Sequence, residues 1–175
     1  MVEDELVLTK GHVLANLPKL YREYEVKLEV MVFSLPTHGG SHSLLHLTIS
    51  GNSDKHGSRN PGMWISSANP PVFWIATGLG TNKNWYKEYK ETQDWRIPTN
   101  TWIAMTVDQQ FKHGAWMFTI TIEGCTICTY AIENTLPVDL TNVKVYASDP
   151  WHPPLNGSIR RLEISTRGRH DSILF

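Results

Sequence analysis

Residues 21–32 read YREYEVKLEVMV, and their alternation indicates the fold class. Every even-numbered residue from Tyr24 to Val32 is apolar, whereas every odd-numbered residue from Glu23 to Glu29 is charged. Successive side chains of a strand point to opposite faces, so a period of two predicts a strand with one buried face and one wet face.

The same period recurs along the chain, in residues 43–49, 103–107, 116–122 and 143–147, with turns rich in Gly, Pro and Asn between the runs. No segment of ten or more residues keeps a helical period. We therefore predict an all-β fold of about eleven short strands, arranged as a two-sheet antiparallel sandwich of the jelly-roll type. Ile159 and Leu162 are out of phase, which predicts a β-bulge at residues 160–161.

Length, charge and hydropathy exclude several classes. A chain of 175 residues suits one domain, and we expect a sandwich over residues 1–166 and a C-terminal tail over 167–175. With 16 basic and 17 acidic residues the formal net charge is -1, which argues against a nucleic-acid partner. No apolar run approaches the roughly 18 residues that a membrane span requires. The chain starts Met-Val-Glu-Asp-Glu, which does not resemble a secretory signal, so either the protein is not secreted by the usual route or this is a trimmed domain.

Three segments carry a resemblance to a known group of folds. Residues 102–110 and 116–124 look like a strand pair of the form Trp-x-x-x-x-Val followed by Val/Ile-Asp/Asn-Gly, with Glu123 in place of the usual Asp or Asn. Residues 156–164 are similar to a closing Gly-x-Ile-x-x-Leu strand, and residues 21–50 look like a long opening strand pair. The chain thus resembles the concanavalin A-like jelly rolls, which include laminin G-like domains. Residues 143–151 also resemble extracellular modules of marine invertebrates.

This resemblance implies a curved sandwich whose concave face or rim loops bind glycans or protein partners, often with calcium, in an extracellular protein of which this chain is a trimmed domain. The hydrolases of the group carry a Glu-x-Asp-x-(x)-Glu motif on one strand. The nearest match, residues 23–29, lacks the central Asp and places its last carboxylate too late. We therefore expect no enzymatic activity.

The loop from Gly51 to Gly62 is polar and lies between two strand runs. Asn52 and Asp54 have oxygens suited to calcium, and His56 and Arg59 can hydrogen-bond hydroxyls or an anion. Loops on a rigid sandwich often carry recognition. The alternative interpretation is a solvated turn cluster.

A second loop, residues 148–154, combines Asp149, Trp151 and His152 with three prolines. Prolines reduce the entropy lost when a loop is ordered, so Trp151 can serve as a pre-set stacking platform for a sugar ring. The alternative is that Trp151 caps one end of the core. Asp149 together with Asp54 is a weak candidate for a calcium site.

Two further features have alternative interpretations. His46 lies on the non-core side of its strand, where it can contact a ligand or act as a hydrogen-bonded sheet histidine; His42 is about 13 Å away and cannot share an ion with it. Cys125 and Cys128 have CxxC spacing, but no helix start and no second CxxC accompany them, so packing is favoured over a redox or zinc role. A third aromatic surface is expected at Trp85, Tyr86, Tyr89 and Trp95.

We therefore predict a non-catalytic, lectin-like or adhesive module that binds a glycan or glycoprotein, either with calcium or without a cofactor. A protein–protein interaction domain is the alternative, and a glycan-processing hydrolase is a third hypothesis. The sequence leaves self-association open. The predicted ligand contacts are His46, Asn52, Asp54, His56, Arg59, Trp64, Asp149, Trp151 and His152.

Overall fold

A computed structural model describes residues 4–53, 55–92, 95–125, 128–167 and 170–174. Thirteen strands of the described residues form two antiparallel sheets. The seven-stranded sheet has the order β1 (Leu6–Val7), β12 (Gly157–Arg167), β3 (Tyr24–Val32), β8 (Trp102–Lys112), β9 (Ala115–Ile122), β10 (Thr129–Glu133), with β13 (His170–Leu174) paired to β12. The six-stranded sheet has the order β2 (His12–Leu20), β11 (Leu140–Ala147), β4 (Ser41–Thr48), β5 (Gly62–Ser66), β6 (Val72–Leu79), β7 (Asn82–Lys90).

The predicted fold class is confirmed. The core lies between the sheets and is built from the alternating apolar positions of the sequence: Val26, Leu28 and Val30 of β3 are at most 2% exposed. Each strand therefore buries one face, and the hydrophobic burial of these faces holds the two sheets together. No helix of the described part of the chain is long and apolar enough to cross a membrane.

The register confirms some local predictions and corrects others. The pairing of β12 with β3 shifts between Arg160 and Glu163, which confirms the predicted bulge, and β8 pairs with β9 as expected. The predicted opening strand pair is wrong, because β3 and β4 belong to different sheets. The predicted domain boundary stays a prediction; residues 170–174, assigned to a tail, form β13.

Cys125 and Cys128 form a disulfide in the loop between β9 and β10. Packing alone was the favoured interpretation, and both residues are indeed buried, at 8% and 1% exposed. A loop brings two residues three positions apart to a Cα–Cα distance of 5.2 Å, within the usual range of roughly 4.4–6.8 Å for a bridged pair.

Candidate functional site

The carboxylate of Asp149 is the centre of a buried polar cluster on the outer face of the six-stranded sheet. Asp149 follows β11 directly and is 0% exposed. Its Oδ2 accepts hydrogen bonds from Ser43 Oγ, His46 Nδ1 and Trp64 Nε1, each at 3.0 Å. One carboxylate oxygen thus ties together β4, β5 and the loop after β11. We call this arrangement the Asp149 junction.

The other oxygen of Asp149 shapes the loop that follows it. Oδ1 accepts the backbone N–H groups of Trp151 and His152, both at 2.9 Å, and His152 Nδ1 lies 3.0 Å from both oxygens. An aspartate that accepts from the residues two and three positions later closes an Asx-type turn. Pro150 fixes one backbone torsion inside this turn. The turn therefore holds Trp151 in one position before any ligand arrives.

The electrostatics of the junction favour an ionised Asp149. Burial by itself would raise the pKa of Asp149, but the hydrogen bonds and positive charge of His152 and His46 outweigh burial and hold the pKa well below its usual range. The second ring nitrogen of His46, Nε2, lies 2.6 Å from the carbonyl oxygen of Ser58. Both ring nitrogens of His46 thus lie against oxygen atoms, so the imidazole is held at both ends.

Small residues make room for the large rings on this face. Tyr146 of β11 pairs with His46 of β4, which pairs with Gly62 of β5, so the three positions form one row across the sheet. A Cβ at Gly62 would overlap the outer edge of the Trp64 ring. Glycine at position 62 therefore lets the Trp64 indole lie along the sheet, with its centroid 5.2 Å from that of His46.

The loop between β4 and β5 covers the other side of Trp64. Arg59 donates from Nε to Asn52 Oδ1 at 2.8 Å and from Nη1 to Asn84 Oδ1 of β7. Its guanidinium carbon lies 5.5 Å from the Trp64 ring centroid, within cation–π range. As a result Trp64 is only 4% exposed, so it acts as the floor of the junction and not as a contact surface.

Trp151 presents the accessible aromatic surface of the junction. It is 43% exposed. Its ring makes edge contacts with His46 and Tyr146, at centroid distances of 5.4 and 5.7 Å. A Cβ at Gly51 would lie 3.3 Å from Trp151 Cζ2, so the indole also packs closely on the β4–β5 loop. Trp151 is thus supported from below and from one side, with the remainder of its surface open.

The structure brings together most of the predicted contact residues. His46, Trp64, Asp149, Trp151 and His152 form the junction, and Asn52 and Arg59 adjoin it. His56 lies apart, against Gly78 of β6, where a Cβ would come 2.9 Å from His56 Nδ1. Asp54 lies outside the described residues.

Three corrections follow from burial. His46 and Asp149 are 0% exposed and Trp64 is 4% exposed, so none of them presents its side chain to a ligand at the surface. His46 is the hydrogen-bonded sheet histidine that the sequence offered as the alternative. The roles of Ser43 and Gly62 were not predicted. The alternation predicted that Ser43 faces inward, and no sequence pattern indicated that Gly62 would lie against the Trp64 ring.

The carboxylate of Asp149, a predicted calcium ligand, is already occupied by hydrogen bonds within the protein. Both oxygens of Asp149 already accept several protein donors, so an ion at Asp149 would have to displace them. Among the described residues, no group of three or more His, Cys, Asp and Glu side chains is arranged to hold a metal. The proposed pairing of Asp149 with Asp54 stays a prediction, since Asp54 is outside the described part of the chain.

The third aromatic surface is smaller than predicted. Trp85 packs on Tyr130 at a centroid distance of 5.7 Å, and Tyr89 and Trp95 are 5% and 8% exposed members of the core. Tyr86 alone of the four is exposed, at 49%. A strand places consecutive residues on opposite faces, so this aromatic run is split between the core and the outer surface.

The glutamates considered for hydrolysis are held in ion pairs. Glu29 accepts from Arg160 Nε at 2.6 Å and from Arg161 Nη1 at 2.7 Å, and Glu25 lies 2.7 Å from Lys27 Nζ. Partial burial would raise the pKa of Glu29, but the two arginines outweigh this and lower the pKa. An ionised Glu29 has no proton to give as a general acid.

The fold defines the chain as a jelly-roll β-sandwich. No protein-family model matches the chain, and no curated protein matches its sequence. The receptor-binding domain of botulinum neurotoxin D is similar over 95% of this chain and 39% of that chain, with a TM-score of 0.57 and 14% identity.

Two other solved structures have the same fold. The binding domain of botulinum neurotoxin DC in complex with SialylT is similar over 92% of this chain and 42% of that chain, with a TM-score of 0.54 and 11% identity. The alginate lyase from Klebsiella pneumoniae is similar over 85% of this chain and 61% of that chain, with a TM-score of 0.51 and 10% identity. The chain thus spans about two fifths of the toxin chains. These identities support the jelly roll, and do not extend to the laminin G or marine invertebrate resemblance.

Proposed function

We propose that this domain is a non-catalytic, lectin-like module that binds a glycan at the loops of the Asp149 junction. The observation that carries the proposal is the half-exposed Trp151, held in place by a fully buried carboxylate. A binding surface that is ordered beforehand loses little entropy when the ligand binds. The conformational entropy of this loop is already lost when the domain folds, before any ligand binds.

The chemistry around Trp151 suits a sugar. A pyranose ring has an apolar C–H face that packs on an indole, and hydroxyl groups that need polar partners at its rim. His152, with 26% of its side chain exposed, lies beside the indole in the same turn, and the half-buried Arg59 and Asn52 lie on the loop across it. An aromatic surface with a few convergent polar groups is typical of ligand sites.

The similar folds support this ligand class by analogy only. One of them was solved in complex with SialylT, and another is named for a polysaccharide, alginate. One fold hosts many unrelated functions, so the argument rests on Trp151 and its surroundings. Calcium dependence and an extracellular location are proposed from the sequence resemblance, and calcium dependence is tested together with the ligand.

The test is a glycan-array screen of the purified domain, run with calcium and again with a chelator. We expect binding to a defined class of sugars, reduced by Trp151→Ala at least about tenfold in affinity, which corresponds to about 1.4 kcal/mol. The matched control is Phe111→Ala, which removes an aromatic ring that is 56% exposed on the seven-stranded sheet. This control should bind as the unaltered domain does.

Two results would count against the proposal. Equal binding by the Trp151→Ala variant would remove Trp151 from the site. A blank array in both conditions would favour a protein partner instead, since exposed aromatic residues are also typical hot spots of protein interfaces. Recovery of binding only in the presence of calcium would support a metal at the loops.

A further inference from the structure

A groove lies on the outer face of the seven-stranded sheet, far from the Asp149 junction in the topology. It has a volume of about 560 Å³, within the usual range of roughly 300–1,000 Å³ for small-molecule sites. Its floor is formed by β3, β8 and β12, and its walls by the segment before β8 and the loop after β9. The polar residues that line it are Glu29, Arg96, Thr101, Glu123 and Arg160, together with the aromatic residues Trp95 and Trp102.

The β-bulge in β12 gives the groove its two adjacent arginines. In a regular strand Arg160 and Arg161 would point to opposite faces. The register shift after Arg160, with Arg161 at a φ of 51°, brings both side chains to the same face. Both then reach the carboxylate of Glu29. A non-glycine residue in the left-handed region is strained, and such strain tends to occur at functional sites.

Arg160 is held rigidly within the groove. Its Nε donates to Glu29 Oε2 at 2.6 Å, and its guanidinium carbon lies 4.1 Å from the ring centroid of Trp102. The guanidinium is therefore fixed by an ion pair at one edge and by cation–π contact at one face. Only part of its five N–H groups is used by Glu29, so the others remain to bind a second acceptor.

The charges of the groove favour an acidic ligand. Glu29 is neutralised by Arg160 and Arg161. Arg96 is exposed and has no hydrogen-bond or ion-pair partner among the described residues. Glu123, on the opposite wall, is the remaining carboxylate. Among the described lining residues, Arg96 and Arg160 face Glu29 and Glu123, and Arg161 binds Glu29 from beside the groove. The balance is therefore positive at the side of the groove where Arg96 and Arg160 lie.

We propose that this groove is a second ligand site, which binds a carboxylate-bearing sugar unit such as a hexuronate. The carboxylate would be bound by the open edge of Arg160 and by Arg96, because planar guanidinium groups match a carboxylate with paired hydrogen bonds. The sugar hydroxyls would contact Thr101 and Glu123 on the walls. This site shares no residue with the Trp151 surface and does not depend on the function proposed for it.

The test compares acidic trisaccharides with matched neutral ones by isothermal titration calorimetry. The probes are the trimers of galacturonate, glucuronate and mannuronate, each as the free acid and as the methyl ester, which has the same size without the charge. We expect at least one free acid to bind at least tenfold more tightly than its ester. We also expect its affinity to fall as sodium chloride is raised from 50 to 300 mM, because salt screens exposed charges.

Two variants locate the site. Arg96→Gln should weaken the acid at least tenfold, since it removes an exposed cation that supports no described contact of the fold. The matched control is Lys144→Gln, which removes an exposed cation without a described ion pair from β11 of the six-stranded sheet. Trp151→Ala should leave binding of the acid unchanged, which separates this site from the one at the Asp149 junction.

The proposal is overturned by any of three results: none of the three acids binds, acid and ester bind equally, or Arg96→Gln binds like the unaltered domain. If Trp151→Ala, and not Arg96→Gln, abolishes binding of the acid, the acidic sugar belongs to the junction. The groove would then have no assigned ligand.

Discussion

The Asp149 junction and the groove that contains Glu29 share one feature, a carboxylate bound by two basic side chains. The two regions differ in their access to water. Asp149 and His46 have 0% exposed side chains, whereas the partners of Glu29, Arg160 and Arg161, are 30% and 64% exposed. At the junction only His152, with 26% of its side chain exposed, reaches the surface among the side chains that bind the Asp149 carboxylate. In the groove, part of the guanidinium of Arg160 remains open.

Because of this difference in exposure, the charges at the junction and those in the groove have different roles. In a dry environment an ion pair is costly unless all its partners are present, so the junction can only be altered by disturbing the loops it holds. In a wet groove each ion pair contributes little to stability, so its charges are free to serve a ligand. The junction therefore supports a binding surface from beneath, and the groove offers its charges directly.

The largest expected effect is at the junction. Asp149→Asn removes the charge opposite His46 and replaces part of an acceptor by an N–H donor that faces other donors. We expect a loss of about 3–5 kcal/mol in the free energy of unfolding, measured by urea denaturation. The control is Asp139→Asn, since Asp139 pairs with Lys19 and Arg22 at the surface and should lose less than about 1 kcal/mol. Equal losses in the two variants would remove the distinction between sealed and open pairs.

The second largest effect is expected from acid, which should destabilise the junction. The pKa of Asp149 is far below its usual range, so its contribution to stability is fully present above the unfolded-state pKa of about 3.9 and is lost as the pH falls below that value. We expect the free energy of unfolding to fall between about pH 5 and pH 2, by up to roughly 1.4 kcal/mol per pH unit for one such group. Urea titrations at several pH values measure this slope.

Asp139 provides the comparison for the acid slope. The arginine and lysine beside it lower its pKa to about 2, against the opposing effect of burial. Its contribution is therefore also lost between about pH 4 and pH 2, but it is screened by solvent. The Asp139→Asn variant should keep most of the acid slope, because Asp149 carries the larger share. If the slope disappears in this variant, the surface pair and not the junction controls acid stability.

The smallest expected effect is in the groove. Glu29→Gln removes the carboxylate that Arg160 and Arg161 share, and we expect a loss of about 1 kcal/mol or less, because water can solvate the released guanidinium groups. The same urea experiment measures it. A loss as large as that of Asp149→Asn would mean that the groove is structurally closed, and the contrast between the two regions would fail.

The sequence predicted the features that depend on neighbouring residues, and not those that depend on contacts between residues far apart in the chain. Alternation in β3 and the phase break at residues 160–161 predicted strands and a bulge correctly, because both are local properties of neighbouring residues. Residues 52, 59, 149, 151 and 152 were chosen as contacts and lie in one region of the structure, with Asp149 buried at its centre; their part in binding stays a prediction. Their composition is typical of recognition loops, but nothing local predicted that Asp149 would accept hydrogen bonds from Ser43, His46 and Trp64, which lie 85 to 106 positions earlier in the chain.

The predictions that failed depended on partners far away in the chain. His46 was expected to face a groove, and its strand does place it on the outer side, but the loops of residues 51–59 and 148–154 cover it completely. The tandem arginines were recognised only as a bulge, since Glu29 is 131 positions from Arg160. The role of Trp102 likewise depends on a residue distant in sequence, because the guanidinium of Arg160 packs on its ring.

The sequence by itself therefore determined which residues face inward and that the chain forms a β-sandwich, because a period of two is fixed by the geometry of each strand. Tertiary structure alone decided which polar residues are sealed and which are open. Burial depends on what packs above a side chain, and in this fold the covering residues come from loops and strands remote in sequence. For Asp149 that cover made a structural hub, and for Arg160 its absence left a charge available for binding.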